Sequence, residues 1–213
     1  YVRWMDTGQT ARITNLAKPP AGISWSPDGR QIAFTSFVPA APTVLAHLPT
    51  APAGAKWEPQ PILADKLIWR FNGRGLIPNG HTQIFVVGAD GSGLHQVSHG
   101  DYNFSGVFGG GRLNWTPDGK DLIFSANLRP DADYEMLNSE VYQISVATGE
   151  WKALTNRLGP DNAPAIKVAN VERYGGQVHF CTPTVPAREA APAARAHARG
   201  ALPCSTSAFP KSR

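Results

Sequence analysis

Two segments of the chain repeat one alternation of apolar and polar positions around a short turn. The first is Ile23-Ser-Trp-Ser-Pro-Asp-Gly-Arg-Gln-Ile-Ala-Phe-Thr-Ser36, and the second is Leu113-Asn-Trp-Thr-Pro-Asp-Gly-Lys-Asp-Leu-Ile-Phe-Ser-Ala126. Trp25, Pro27, Asp28, Gly29 and Phe34 align with Trp115, Pro117, Asp118, Gly119 and Phe124. The flanking runs are rich in β-branched and aromatic residues, as strands prefer. Pro presets φ near −65°, Asp can bond to its own backbone, and Gly tolerates positive φ, so Pro-Asp-Gly predicts a tight turn. Each segment therefore reads as strand, turn, strand.

A second unit occurs three times: an apolar strand, a small polar turn, and a short strand ending in a hydrophobic residue followed by Thr or Ser. The copies are Val2–Asn15, Gln83–His99 and Val141–Asn156, with turns at Thr7-Gly8, Asp90-Gly91 and Thr148-Gly149. They end on Ile13-Thr14, Val97-Ser98 and Leu154-Thr155. The two kinds of unit alternate along the chain, starting and finishing with the second kind. One unit of each kind makes a four-stranded antiparallel sheet, and such sheets recurring at roughly 40–50 residues predict a β-propeller. The expected fold is all-β: a partial β-propeller of antiparallel four-stranded blades, about two and a half of them, with an irregular C-terminal tail. The blade from Ile23 is long because residues 37–81 are inserted, and the blade from Leu113 is compact. Trp25, Trp115, Phe34 and Phe124 are expected to pack between blades, and Asp28 and Asp118 to serve their turns.

Composition agrees with this reading. Gly (21) and Pro (19) suit a protein of many turns, and a charged fraction of 17% argues against long solvated helices. No run approaches the roughly 18 apolar residues of a membrane span, and no basic-then-apolar signal pattern is present. The chain opens on Tyr1 rather than Met, so a processed or trimmed N-terminus is expected. The net charge is +4, but residues 166–213 hold seven Lys/Arg against two Asp/Glu. Residues 1–165 are left with 13 basic and 14 acidic residues, a net of −1, so no basic face is expected to track a nucleic acid. Cys181 and Cys204 both lie in the tail, as a disulfide or as two thiols.

The Trp-Ser-Pro-Asp-Gly repeat resembles the propeller repeat of TolB-like proteins and of prolyl-oligopeptidase-type serine peptidases. The stretch Lys66-Leu-Ile-Trp-Arg-Phe-Asn-Gly-Arg-Gly75, with His81 and Ile84-Phe-Val-Val87 after it, is similar to the blade preceding the peptidase domain in bacterial dipeptidyl- and acylaminoacyl-peptidases. The resemblance covers residues 1–165, taken as the propeller region, and leaves 166–213 as an Ala/Arg/Pro-rich tail. It implies a propeller that caps an α/β-hydrolase domain and filters substrates. The nucleophile elbow of such a hydrolase, G-x-S-x-G, occurs nowhere in the chain; Gly22-Ile-Ser24-Trp-Ser26 fails at the last glycine. No catalytic residue of the family carries over. A further Trp-Ser-Pro-Asp-Gly unit is due near Ala163-Pro-Ala165, yet the chain reads Ile166-Lys-Val-Ala-Asn170. Truncation or a changed reading frame is expected there, and residues 187–204 read as disordered by composition.

Candidate chemistry is sparse. His95 and His99 lie four residues apart on a strand–turn unit, about 13 Å when extended, too far to share one ion. Asp131, Asp133 and Glu135 alternate in a loop and form a candidate Ca²⁺ site, although the glycine and further ligands of a full binding loop are missing. Ser98, His99 and Asp101 have the residue types of a triad, but adjacent strand residues point to opposite faces. The glycine-rich run Gly106–Arg112 precedes a strand, so it lacks the helix N-terminus that would hold a phosphate. Arg70, Arg74, His81, Asp101, Tyr102 and Arg112 are expected to line the propeller's mouth as a binding site, since loops carry function on rigid scaffolds.

The function expected is that of a noncatalytic propeller segment of a peptidase-like protein, gating or binding peptides or partner proteins. Two alternatives stay open: a lactonase or esterase acting through propeller loops, and a TolB-like periplasmic interaction module. No cofactor is expected beyond the Ca²⁺ candidate, and no nucleic-acid or membrane partner. Self-association through open blade edges is expected, and a bacterial cytoplasmic or periplasmic setting follows from the resemblance alone.

Overall fold

The computed structural model describes residues 1–41, 43–44, 46–47, 49–58, 62–106, 111–167, 177–180 and 205–208. Cys181, Cys204, the run 187–204 and the centre of the glycine-rich loop lie outside the described residues. The described elements are all strands: β1 (Val2–Arg3), β2 (Thr10–Ala11), β3 (Ala21–Trp25), β4 (Gln31–Pro39), β5 (Arg70–Phe71), β6 (Gly75–Leu76), β7 (Gly80–Gly88), β8 (His95–Gln96), β9 (Asn114–Trp115), β10 (Asp121–Ala126), β11 (Glu140–Ser145), β12 (Trp151–Ala153), β13 (Ala165–Lys167), β14 (Gln177–Phe180) and β15 (Ser205–Ala208). No helix among the described residues is long and apolar enough to cross a membrane.

Two antiparallel four-stranded sheets form the body, in the orders β3-β4-β7-β8 and β9-β10-β11-β12. Each joins one Trp-Ser/Thr-Pro-Asp-Gly hairpin to one copy of the second unit, the combination expected of a propeller blade. The long pairing of the first blade runs from Gln31↔Gly88 to Pro39↔Gly80, and that of the second from Asp121↔Ser145 to Ala126↔Glu140. The unit at 2–15 forms only the pair β1-β2. Within 166–213, taken from the sequence as an irregular tail, the described residues belong to the short antiparallel sheet β13-β14-β15.

The turns explain why the sequence breaks where it does. Ser26 Oγ donates to Asp28 Oδ1 at 2.6 Å, and the Arg30 amide donates to the same oxygen at 3.1 Å. Thr116, Asp118 and Lys120 repeat this at 2.6 and 3.2 Å. Gly29 and Gly119 both take φ of 70°, where any other residue is strained. The Ser26 hydroxyl, then the Arg30 amide, hold the Asp28 carboxyl below the ordinary carboxylate range.

The core sits between the two blades. Ala33, Ile84, Val86 and Val97 of the first face Leu113, Trp115, Leu122, Phe124, Tyr142 and Ile144 of the second, with Phe104 from the connection between them. Ring pairs recur at equivalent places: Phe34 stacks on Phe85 at 5.7 Å, and Phe124 on Tyr142 at 5.9 Å. Each such pair adds roughly 0.5–1.5 kcal/mol beyond area burial. Trp115 is 6% exposed and its Nε1 donates to the Ser24 carbonyl, so the second blade rests on the inner strand of the first.

The far face of the first blade is covered only in part. Ile32, Phe34 and Val87 are buried there beneath Val2, Ile13 and Leu16 of the 2–15 unit. Trp25, expected to pack between blades like its counterpart, is 48% exposed, and Ile23 beside it is 62% exposed. The reason is geometric: the unit covering this face contributes two strands, whereas a whole blade covers Trp115. Substituting Trp115 with Ala is expected to cost about 3–5 kcal/mol, and Trp25 with Ala less than about 2 kcal/mol. Urea unfolding of the two variants checks this.

Candidate functional site

Antiparallel strands send successive connections to opposite ends of a blade. The Pro-Asp-Gly turns and the β7–β8 and β11–β12 turns therefore share one end. The opposite end collects the β4–β7 insertion, the β8–β9 connection and the β10–β11 loop. The nine residues proposed from the sequence as binding or metal ligands lie at this second end: Arg70 and Arg74 in the insertion, His81 at the start of β7, Asp101, Tyr102 and Arg112 between β8 and β9, and Asp131, Asp133 and Glu135 between β10 and β11.

The loops are held by side chains that point from the strands. Gln83 Nε2 donates to the carbonyls of Gly100 and Tyr102 at 3.0 and 3.3 Å. Asn103 Oδ1 accepts the Thr82 amide at 2.9 Å, and the Phe104 amide donates to the Thr82 carbonyl at 2.8 Å. This fixes the start of the β8–β9 connection against β7, with Phe104 plugged into the core. Ser98 is fully buried; its hydroxyl donates to Gln83 Oε1 at 2.6 Å and accepts the Ile84 amide at 2.8 Å. Both roles of that hydroxyl are structural.

His81 is the meeting point. It is half-buried, opposite Val38 in the ladder. Its imidazole is pushed below the ordinary value of 6.5, first by burial and then by the positive charge of Lys66, while Asp101 and Asp133 pull the other way. Those three charges come from the insertion, the β8–β9 connection and the β10–β11 loop, so the structure brings His81, Asp101 and Asp133 into one electrostatic neighbourhood. Lys66 joins them; the sequence marks it only as the first residue of the Lys66–Gly75 segment.

The remaining candidates sit apart. Tyr102 is half-buried with its ring edge-on to Trp151 at 6.3 Å, so it seals the seam between blades. Arg70 and Arg74 are exposed on the β5-β6 hairpin, and Arg112 is exposed beside residues 107–110, which lie outside the described residues. Asp131 accepts from Arg129 Nε at 3.1 Å, and the Tyr134 and Glu135 amides close onto its carbonyl. Among the described residues no three His, Cys, Asp or Glu side chains are grouped to hold a metal ion, Asp131, Asp133 and Glu135 included.

One feature of this end has no signal in the sequence. The Asp161 amide donates to the Ser139 carbonyl at 2.7 Å, the counterpart of the Phe104–Thr82 bond, so Asp161 stands where the first blade has a buried phenylalanine. Its carboxylate is buried and takes both prongs of the half-exposed Arg157 guanidinium, which Asp161 holds above its ordinary value. Only the repeat geometry reveals the substitution of an ion pair for an aromatic plug.

Because the folded-state value of His81 lies below its unfolded value, the unfolded chain binds the extra proton first. Stability is therefore full above pH ~6.5 and falls as the pH drops through the folded value. His81→Gln is expected to flatten that part of the stability–pH curve; an unchanged slope in urea melts taken at pH steps contradicts the assignment.

No family model matches the chain. It is 27% identical over 141 residues to the "Uncharacterized peptidase YuxL" of Bacillus subtilis (strain 168), an overlap of 62% of this chain and 19% of that protein. The chain thus spans less than a fifth of the length of this curated relative. Among solved structures it is similar to a putative TolB from Agrobacterium tumefaciens, with TM-score 0.40 and 19% identity over 74% of this chain and 40% of the other. It is also similar to TolB from Acinetobacter baumannii, with TM-score 0.41 and 16% identity over 85% of this chain and 34% of the other. The blade assignment itself stands on the repeated hairpins, their registers and the packing between them.

Proposed function

We propose that the chain is a noncatalytic propeller segment of a peptidase-like protein, and that it binds extended peptides or a partner's loops at the end around His81. The observation that carries this is that three separate connections meet at one end of the blades, and that charges from all three, Lys66, Asp101 and Asp133, act on the half-buried imidazole of His81. Mixed charges on a rigid sheet scaffold suit the carbonyls, amides and charged termini of a peptide, because each peptide end finds an opposite charge within one loop cluster. The printed name of the Bacillus relative, a peptidase, supports placing such a segment beside a separate catalytic domain. The absence of G-x-S-x-G from the sequence and the structural use of the Ser98 hydroxyl support a binding rather than a hydrolytic role.

The test is fluorescence anisotropy with a library of labelled unstructured peptides. Saturable binding is expected, weakened about tenfold by His81→Ala combined with Asp101→Asn. Hydrolysis of a lactone and of a p-nitrophenyl ester is expected at the buffer rate, with and without EDTA. Peptide affinity indifferent to the double substitution, or ester turnover above buffer, sinks this reading.

A further inference from the structure

The chain holds two Asn-Gly pairs, Asn72-Gly73 and Asn79-Gly80, and three Asp-Gly pairs, at Asp28, Asp90 and Asp118. In such pairs the glycine amide can attack the preceding side chain, because no Cβ hinders its approach. The fold treats the two asparagines differently. Asn72 and Gly73 form the tip of the β5-β6 hairpin, in which Arg70 pairs with Leu76 and Phe71 with Gly75. Residues 72–75 are all exposed. The Arg74 amide closes the turn by donating to the Phe71 carbonyl at 3.1 Å. That bond leaves the Gly73 amide aside, and among the described residues neither this amide nor the Asn72 carboxamide has a hydrogen-bond partner. A Cβ placed on Gly73 would meet nothing within 4 Å. The Asn72 side chain is therefore able to swing onto the Gly73 nitrogen without disturbing any packing.

None of the other pairs has this freedom. The Asn79 carbonyl accepts the Ala40 amide at 3.0 Å, and Gly80 is buried opposite Pro39 at the start of β7. A Cβ on Gly80 would lie 2.8 Å from both the Phe37 ring and the Pro39 Cα. Closing a five-membered ring there would twist the Asn79–Gly80 peptide out of the ladder into space that is already filled. In the Asp-Gly turns the glycine amide is already engaged: Gly29 donates to the Ser26 carbonyl, Gly91 to that of Gly88 and Gly119 to that of Thr116, each at 2.9 Å. Their carboxylates are engaged as well, by Ser26 and Arg30, by Ser92, and by Thr116 and Lys120.

We propose that Asn72, selected over Asn79 by its place in the fold, is a site of spontaneous deamidation that puts a carboxylate between Arg70 and Arg74. The Gly73 nitrogen bonds to Asn72 Cγ, the Cγ–Nδ2 bond breaks, and ammonia leaves carrying the amide proton. Water then opens the succinimide. Opening at Cγ gives aspartate; opening at the main-chain carbonyl gives isoaspartate, whose main chain is longer by one carbon. No atom changes oxidation state. The positive charges of Arg74, next in the chain, and of Arg70 favour loss of the Gly73 proton. Either product lowers the positive charge of the hairpin, and the lengthened isoaspartyl chain no longer matches the Phe71–Arg74 turn bond. The proposal rests on the hairpin alone and holds whether or not peptides bind around His81.

The test incubates the full chain in mildly alkaline buffer, folded and in urea, and follows residues 72 and 79 by peptide mapping with mass spectrometry. In the folded chain, conversion at Asn72 is expected to run at least about tenfold faster than at Asn79. In urea the two rates are expected to converge, because a free chain gives both glycine amides the same freedom. Isoaspartate is read separately, by methyl transfer from S-adenosylmethionine with an isoaspartyl carboxyl methyltransferase. Asn72→Gln, at an exposed position with little effect on folding, is expected to remove most of that signal. Equal rates at the two asparagines in the folded chain, or methyl uptake unchanged in Asn72→Gln, overturn the proposal. A gap that persists undiminished in urea overturns it as well, because the selection then comes from flanking residues and not from the fold.

Discussion

The burial of one sheet face on the next is the contact on which the rest of this molecule depends. A four-stranded sheet alone exposes two faces, and hairpins in isolation are marginal in water. Here Trp115, Leu122, Phe124, Tyr142 and Ile144 of one blade close on Ala33, Ile84, Val86 and Val97 of its neighbour. Large aromatic residues meet small and branched ones across the seam, a pairing of sizes that favours close packing. Trp151 and Tyr102 then seal the outer rim, with the Trp151 ring edge-on to those of Tyr102, Phe104 and Tyr142.

Polar residues at fixed repeat positions make that packing possible. Each blade ends in a strand too short to satisfy its neighbour, and a hydroxyl completes the ladder: Ser98 for the Ile84 amide and Thr155 for the Val141 amide. Each hydroxyl also donates to a side chain one residue before, Gln83 in one blade and Glu140 in the other. Gln83 reaches on to Gly100 and Tyr102, and Glu140 accepts the Arg157 amide. The same device thus ties each connection to its blade, and it places the loop end where charges can be presented on a rigid base. In the first blade the tied loop brings Asp101 towards His81; in the second it carries the buried Asp161 and its arginine.

The loop end around His81 and the exposed face around Trp25 differ in kind because they arise from different parts of the repeat. Around His81 the insertion and two loops supply charged groups at an end where strands stop pairing. Around Trp25 the covering 2–15 unit contributes two strands, and Ile23 and Trp25 remain exposed.

The sequence by itself determined the hairpins, the order of units and their grouping into four-stranded blades, because turn chemistry and alternation act over a few residues. Ser26, Asp28 and Gly29 close their turn whatever lies beyond it. It also marked the insertion that ends at His81 and the loops that carry Asp101 and Asp133, since these interrupt a regular repeat. Tertiary structure alone decided which of two equivalent tryptophans is buried, because that depends on the number of strands opposite and not on the residue. It alone drew Lys66 to His81 across fourteen intervening positions of the chain, and it set Asp161 where the other blade has Phe104. Burial and electrostatic neighbourhood are sums over residues distant in sequence, and a local pattern holds no record of them.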